Sequence, residues 1–162
     1  MTRISLLLAL LLLTCCLIAA GQETKNYKSQ KGGYEFSYPA GWLLESDEQS
    51  DYVSLFSPGA DKSRPHSFDL VRGIKIEFVH ETGAEAFTQE LKDDGFAACG
   101  TTNDGQRTTY CAEDDGLTLI ATGLPHDKIF FSARGYIPEK DKKTEYLAQY
   151  LKIIESFTFS AK

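Results

Sequence analysis

Basic residues are in short supply. The 162-residue chain carries 17 lysines and arginines against 23 aspartates and glutamates, a formal charge of −6. That balance argues against nucleic acid or an anionic membrane surface as a partner, because either demands a concentrated basic face. The one compact basic run, Lys140, Lys142 and Lys143, is interrupted by Asp141 and is too short to track a phosphate backbone. Histidine is scarcer, with three residues, His66, His80 and His126. None has a partner at helical i, i+4 spacing and no His-Glu-x-x-His occurs, so no metal site is expected. His80 continues an apolar strand face and reads as a partly buried histidine. His66 and His126 stand beside prolines and read as solvated loop residues.

Other catalytic signatures are missing too. There is no Gly-x-Ser-x-Gly elbow, no glycine-rich phosphate cradle and no Cys-x-x-Cys, which removes the common hydrolase, nucleotide and redox motifs. Acidic runs at Glu45/Asp47/Glu48/Asp51, Asp93/Asp94 and Glu113/Asp114/Asp115 lack the alternating Asp and twelfth-position Glu of an EF-hand. No cofactor is expected. What remains is 42 % apolar and 25 % charged residues, the mixture of a soluble globular domain.

Residues 1–21 read as a secretory signal. Arg3 is the only charge there, every residue from Leu6 to Leu13 except Ala9 is leucine, and Ala19-Ala20-Gly21 ends the stretch. A basic start, an apolar centre and a small-residue exit are the parts of such a signal. Ile4 to Ala20 is 17 residues, short of the roughly 20 that span a bilayer; an uncleaved anchor is the alternative. Leu12-Leu13-Thr14-Cys15 loosely resembles a lipoprotein box, so membrane contact is expected only if Cys15 or Cys16 is lipidated. The expected location is the periplasm or the extracellular space.

The body keeps Cys99 and Cys111. Export puts them where thiols pair, and Asp104-Gly105 between them is a hairpin signal. A cross-strand disulfide is expected, worth roughly 3 kcal/mol for so short a loop. A two-residue turn at Asp104-Gly105 sets Cys99 opposite Tyr110, with the two sulfurs on opposite faces. The bond therefore requires a loop of odd length or a bulge. The eleven-residue gap fits neither a redox motif nor a zinc pattern.

Residues 22–33 are polar and end in Lys31-Gly32-Gly33, which suits a flexible tether. One domain is expected over 34–162. Its strand signals are Tyr34/Phe36/Tyr38, then Trp42-Leu43-Leu44, Tyr52–Phe56 and Ile74/Ile76/Phe78/His80. Thr82 and Glu85 have capping-box spacing, and Ala84, Phe87 and Leu91 form a narrow stripe that stops at Gly95. Strands follow at about 96–102, 107–113, Leu117–Thr122 and Lys128–Tyr136, the last two joined by a loop at Gly123–Asp127. The final helix shows the stripe Leu147, Tyr150, Leu151, Ile154 and Phe157. Two helices among many antiparallel strands predict an α+β domain. Runs such as Ile129-Phe130-Phe131 are apolar at odd and even positions alike, which favours a sheet covered on both faces, with one helix on each.

Gly33-Tyr34-Glu35-Phe36-Ser37-Tyr38-Pro39-Ala40-Gly41-Trp42 resembles the opening of PsbP-like domains, roughly Gly-aromatic-x-Phe-x-Tyr-Pro-x-Gly-Trp. Ile154-Glu155-Ser156-Phe157 is similar to their closing helix, and the element order agrees along most of 33–159. The resemblance implies a three-layer α/β/α sandwich around an antiparallel sheet of about six to seven strands. It also implies assembly and binding roles rather than catalysis, though fold kinship warrants function only weakly. Within the motif, Tyr34, Phe36, Tyr38, Pro39, Gly41 and Trp42 are read as structural anchors. Pro39 and Gly41 make a turn and Trp42 buries its indole at the core's edge.

The expected function is that of an exported non-catalytic accessory domain binding a protein partner in the cell envelope. Its expected face lies on the loops Ser57–Phe68 and Gly123–Lys128. A small-ligand carrier with a cleft lined by Phe and Tyr is the alternative. Third comes a hydrolase in which Glu77 works with His80.

Overall fold

A computed structural model describes residues 23–47, 49–61, 70 and 72–160; the leader, with Cys15 and Cys16, lies outside them. The elements run β1 (Thr24–Ser29), β2 (Tyr34–Pro39), β3 (Leu43–Asp47), β4 (Tyr52–Phe56), β5 (Lys75–Glu81), α1 (Ala84–Asp93), β6 (Ala97–Thr101), β7 (Thr108–Asp114), β8 (Leu117–His126), β9 (Ile129–Ile137), α2 (Lys143–Ser156) and β10 (Thr158–Phe159). A 3-10 turn at Lys140–Lys142 leads into α2. Seven strands form an antiparallel sheet in the order β3-β4-β5-β9-β8-β7-β6, and β1-β2-β10 form a second sheet. The protein is α+β, as its pattern predicts.

Two expectations change here. The residues read as a tether carry β1, which pairs with β2 from Thr24–Pro39 to Ser29–Tyr34. Their polarity misled because β1 is an edge strand with little to bury: only Ser29 is buried, and Tyr27 is half-buried. The opening motif, moreover, belongs to the small sheet and not to the large one.

The loop expected at Gly123–Asp127 is not a loop. β8 runs on to His126, with Pro125 opposite Phe130 and His126 opposite Ile129, and Asp127, at φ 50°, turns the chain. Pro125 is tolerated because a proline lacks only a donor. A tight hairpin also joins β7 to β8, where Asp115 and Gly116 take φ 41° and 88°, the double-positive pairing that matches strand twist.

Alternation sorts the side chains into two clusters. Val53 and Leu55 of β4, Ile76 and Phe78 of β5, Ile120 and Leu124 of β8, and Phe131, Ala133 and Ile137 of β9 share one core with Tyr146, Tyr150, Ile153 and Ile154 of α2. Tyr34 and Phe36 of β2 close it, with Phe157 and Trp42. Phe87 and Leu91 of α1 pack with Ala121, flanked by Phe96, Tyr110 and Phe130. The buried stripe of α2 is thus Tyr146/Tyr150/Ile153/Ile154, while Leu147 and Leu151 are half-buried flanks. Both sets have helical period, so sequence spacing alone could not choose between neighbouring faces. The expected capping box does not form. Gly83 is the N-cap, without a side-chain bond, and Ala84 is exposed.

Tyr150 links α2 to the sheet through polar atoms. Its hydroxyl lies 2.7 Å from the Ala133 carbonyl and 3.0 Å from Thr122 Oγ1, which is 2.8 Å from Thr109 Oγ1. A tyrosine has one hydroxyl hydrogen. Tyr150 therefore donates to Ala133 and accepts from Thr122, which accepts from Thr109, so all three buried hydroxyls are satisfied. The helix can approach this closely because residue 135 is glycine. A Cβ there would sit 3.3 Å from both Ile120 and Tyr150.

Candidate functional site

The side chains that β4, β5 and β9 turn away from the main core form a charged row. In register across the three strands stand Ser54, Glu77 and Arg134. Ser54 Oγ donates to Tyr52 Oη at 2.7 Å, and Tyr52 donates to Glu77. Lys75 Nζ lies 2.5 Å from Glu77 Oε1. Arg134 is held from two elements. Its Nη1 and Nη2 donate to the two carboxylate oxygens of Glu90 on α1 at 2.6 and 2.9 Å. Its Nη2 and Nε reach Glu81 Oε1 at 2.8 and 3.2 Å, and Ser132 also donates to that oxygen.

Burial at 9 % exposure pushes the Glu77 carboxyl up, but the Lys75 ammonium and the Tyr52 hydroxyl pull harder, so it sits below its ordinary 4.5. Burial and the Glu77 carboxylate raise Tyr52, which therefore keeps its proton. The Arg134 guanidinium is raised, first by its hydrogen bonds to Glu90 and then by Glu81. The paired charges of this row are held in fixed positions by charge-assisted hydrogen bonds.

A pH dependence follows. A carboxyl depressed in the folded state is protonated first in the unfolded one. Glu77, and Glu90 beside Arg134, therefore contribute stability above the ordinary value of 4.5 that is lost as pH falls through their folded values. Thermal melts from about pH 7 down to about pH 3 are expected to stay level and then drop below about pH 4.5. A Glu77→Gln variant should melt lower at neutral pH and lose less on acidification.

Other residues singled out from the sequence are scattered. Glu77 and His80 cannot act together, because residues three apart on a strand point to opposite faces. Glu77 is engaged by Tyr52 and Lys75, whereas His80 is exposed, not partly buried, and meets Phe131 edge-on at 5.2 Å. His126 is not a solvated loop residue: it stacks on Phe159 with ring centres 4.2 Å apart and an interplanar angle of 7°. His66 lies outside the described residues. Of the acidic runs, Glu113 is taken by Lys143 at 2.6 Å and Thr118 at 2.9 Å. Lys142 of the basic run pairs with Glu139 at 3.0 Å. Among the described residues no three His, Cys, Asp or Glu side chains converge as a metal would need.

Cys99 and Cys111 are bonded, with Cα atoms 5.7 Å apart. The register difficulty is resolved by a bulge. Gly100 pairs with Thr109 and Ala98 with Tyr110, leaving Cys99 as the extra residue that can aim its sulfur at Cys111. Of the opening motif, Tyr34, Phe36 and Trp42 are 0 %, 2 % and 5 % exposed. Tyr38 and Pro39 are half-buried and Gly41 is exposed, with Trp42 N–H donating to the Pro39 carbonyl at 2.9 Å. Of the loop Ser57–Phe68 only 57–61 is described.

Among the described residues the buried aromatic side chains pack on one another in the core. One cleft, between β2 and α2 at Tyr38, Pro39, Lys152 and Ile153, measures about 190 Å³. Another, beside Arg134, Phe96 and Tyr136, measures about 130 Å³. Both fall below the roughly 300–1,000 Å³ of ligand pockets; a third, of about 340 Å³, is an open hollow lined by Ala84, Glu85, Thr88, Gln89 and Lys92 of α1, with no aromatic side chain. The charged row itself escaped the sequence reading. Alternation marks Glu77, Glu81 and Arg134 as outward-facing, but nothing local says that β5 and β9 are neighbours.

No known family profile and no curated protein matches the sequence. Solved structures do. Cyanobacterial PsbP (CyanoP) from Synechocystis sp. PCC 6803 aligns at 14 % identity over 87 % of this chain and 95 % of its own, with a TM-score of 0.52. The Ran-binding protein Mog1p of Saccharomyces cerevisiae aligns at 12 % identity over 86 % and 96 %, also at 0.52. A Bacteroides thetaiotaomicron protein aligns at 15 % identity over 85 % of this chain with a TM-score of 0.53, and the chain spans about half (49 %) of its length. The chain shares its fold with these proteins, as the opening motif leads one to expect.

Proposed function

We propose that this chain is an exported, non-catalytic binding domain that engages a protein partner in the cell envelope. The observation that carries the reading is the charged row across β4, β5 and β9, whose charges are matched to one another by hydrogen bonds. The open end of the row, Arg134 with Glu90, keeps 27 % and 43 % of the two side chains exposed and offers fixed charges for recognition. Its fold is shared with a protein named for binding Ran. The basic-apolar leader and the Cys99–Cys111 bond support export, since such bonds persist in oxidising compartments. A three-layer sandwich, with the small sheet and α2 over one face and α1 over the other, is supported by adjacent residues of β9. Phe130 packs on Phe87 while Phe131 packs on Tyr34.

Two measurements test this. Expressed with its leader in a secreting host, the protein should be recovered outside the cytosol, shortened by about the first 21 residues, with Cys99 and Cys111 oxidised. A photo-crosslinking residue at Val79, on the face of the charged row, should trap one discrete envelope protein. Arg134→Gln should abolish that adduct while circular dichroism still reports a folded chain. Recovery in the cytosol with free thiols, or an adduct indifferent to Arg134→Gln, would refute the reading.

A further inference from the structure

The Cys99–Cys111 bond sits at the end of a hairpin whose loop reaches across to the last turn of α2. The β6–β7 ladder ends at Thr101–Thr108, and the loop beyond it is folded by Thr102. Its N–H donates to the Arg107 carbonyl at 3.0 Å, its carbonyl accepts from Gly105 N at 2.8 Å, and its hydroxyl donates to Asp104 at 2.6 Å. From this loop Arg107 donates to the Ile154 carbonyl through Nη1 and to the Phe157 carbonyl through Nη2 at 2.9 Å. Asn103 N–H donates to Glu155 at 2.9 Å. The final carbonyls of a helix have no partner within it, and here a side chain from another hairpin supplies one. β10 begins one residue after Phe157 and holds Tyr34 and Glu35 of β2.

β6 has little else to hold it. It is the edge of the seven-stranded sheet, pairing only with β7, and none of Ala97, Ala98, Cys99, Gly100 and Thr101 is fully buried. The bulge at Cys99 interrupts even that ladder. Both cysteines are half-buried, within reach of a small thiol.

We propose that the Cys99–Cys111 bond is a redox-operated latch on the C-terminal end of α2: oxidised, it holds the 102–107 loop so that Arg107 caps the helix and anchors β10; reduced, it frees both. The property is separate from the partner binding argued above. The step is thiol–disulfide exchange with a dithiol. One thiolate of the dithiol attacks a protein sulfur and breaks the S–S bond, giving a mixed disulfide. The second thiol then displaces the remaining protein sulfur. Both hydrogens of the dithiol end on Cys99 and Cys111, and the dithiol leaves as its own disulfide.

Amide hydrogen exchange on the oxidised full chain, before and after dithiothreitol, tests it. Reduction should speed exchange at least tenfold in 97–107 and in 153–159 while β4, β5 and β9 keep their protection. Arg107→Ala in the oxidised protein should reproduce the change in 153–159 with 97–101 still protected. Three results would each overturn the proposal: unchanged exchange in 153–159 on reduction, no effect there of Arg107→Ala, or loss of protection across all strands together. The last would make the bond a staple of the whole fold.

Discussion

Replacing Phe78 with alanine is expected to lower the folding free energy by about 3–5 kcal/mol. Phe78 is wholly buried and stands in the middle of a column of rings. Its centroid is 4.5 Å from Phe36, 5.4 Å from Phe157 and 6.4 Å from Tyr34, at interplanar angles of 18°, 15° and 28°. The three partners come from β2 and from the end of α2, so the gap opens where the small sheet, the large sheet and the helix meet. None of the three can collapse into it freely, because each is also stacked on the others. Urea or guanidinium unfolding reads the loss directly. A change below about 1 kcal/mol would mean that the site repacks and that the column is not the centre of the core.

Ending the chain after Ile137 is expected to abolish the cooperative fold. That removes α2 and β10, and with them Tyr146, Tyr150, Ile153, Ile154 and Phe157, all buried in the main core. At about 1.5–3 kcal/mol for each large side chain, the loss is comparable with the whole of the roughly 5–15 kcal/mol that separates folded from unfolded domains. Thr122 and the Ala133 carbonyl would also lose Tyr150, and the Ser37 backbone would lose the Ser156 hydroxyl that now bonds both its N–H and its carbonyl. The product should be insoluble, or should show exposed apolar surface and no sharp thermal transition. A soluble fragment with an intact melting curve would contradict the assignment of the core.

Periodicity made most of the elements legible. Ile74, Ile76 and Phe78 alternate with Lys75 and Glu77, and β5 occupies Lys75–Glu81. The helix marked by Phe87, Leu91 and Gly95 is α1, although Gly83 rather than Thr82 caps it. Where local cues failed, a tertiary contact had overruled them. β1 looks like a linker until β2 offers it a partner. Pro125 looks like a strand breaker, yet it lies beyond Thr122, the last β8 residue paired with β7, so its missing N–H leaves no ladder bond unmade. The stripe of α2 centres on Tyr146, Tyr150, Ile153 and Ile154, while Leu151 lies at its flank against Gly100 of β6, with a methyl 3.4 Å from where a Cβ would stand.

The cysteines mark the boundary most clearly. That they pair is expected from their even count and from the leader read over residues 1–21. That Cys99 must leave the regular ladder follows from strand parity. Which irregularity serves, and what the resulting loop then touches, depended on α2 ending where Arg107 could reach it. The charged row divides in the same way. Alternation alone turns Glu77, Glu81 and Arg134 outward, since successive side chains of a strand must face opposite ways. Their meeting with Tyr52 and Glu90 was decided by the strand order β4-β5-β9 and by the seat of α1, because a hydrogen bond requires proximity in space and residues as much as 53 positions apart acquire it only when the chain folds.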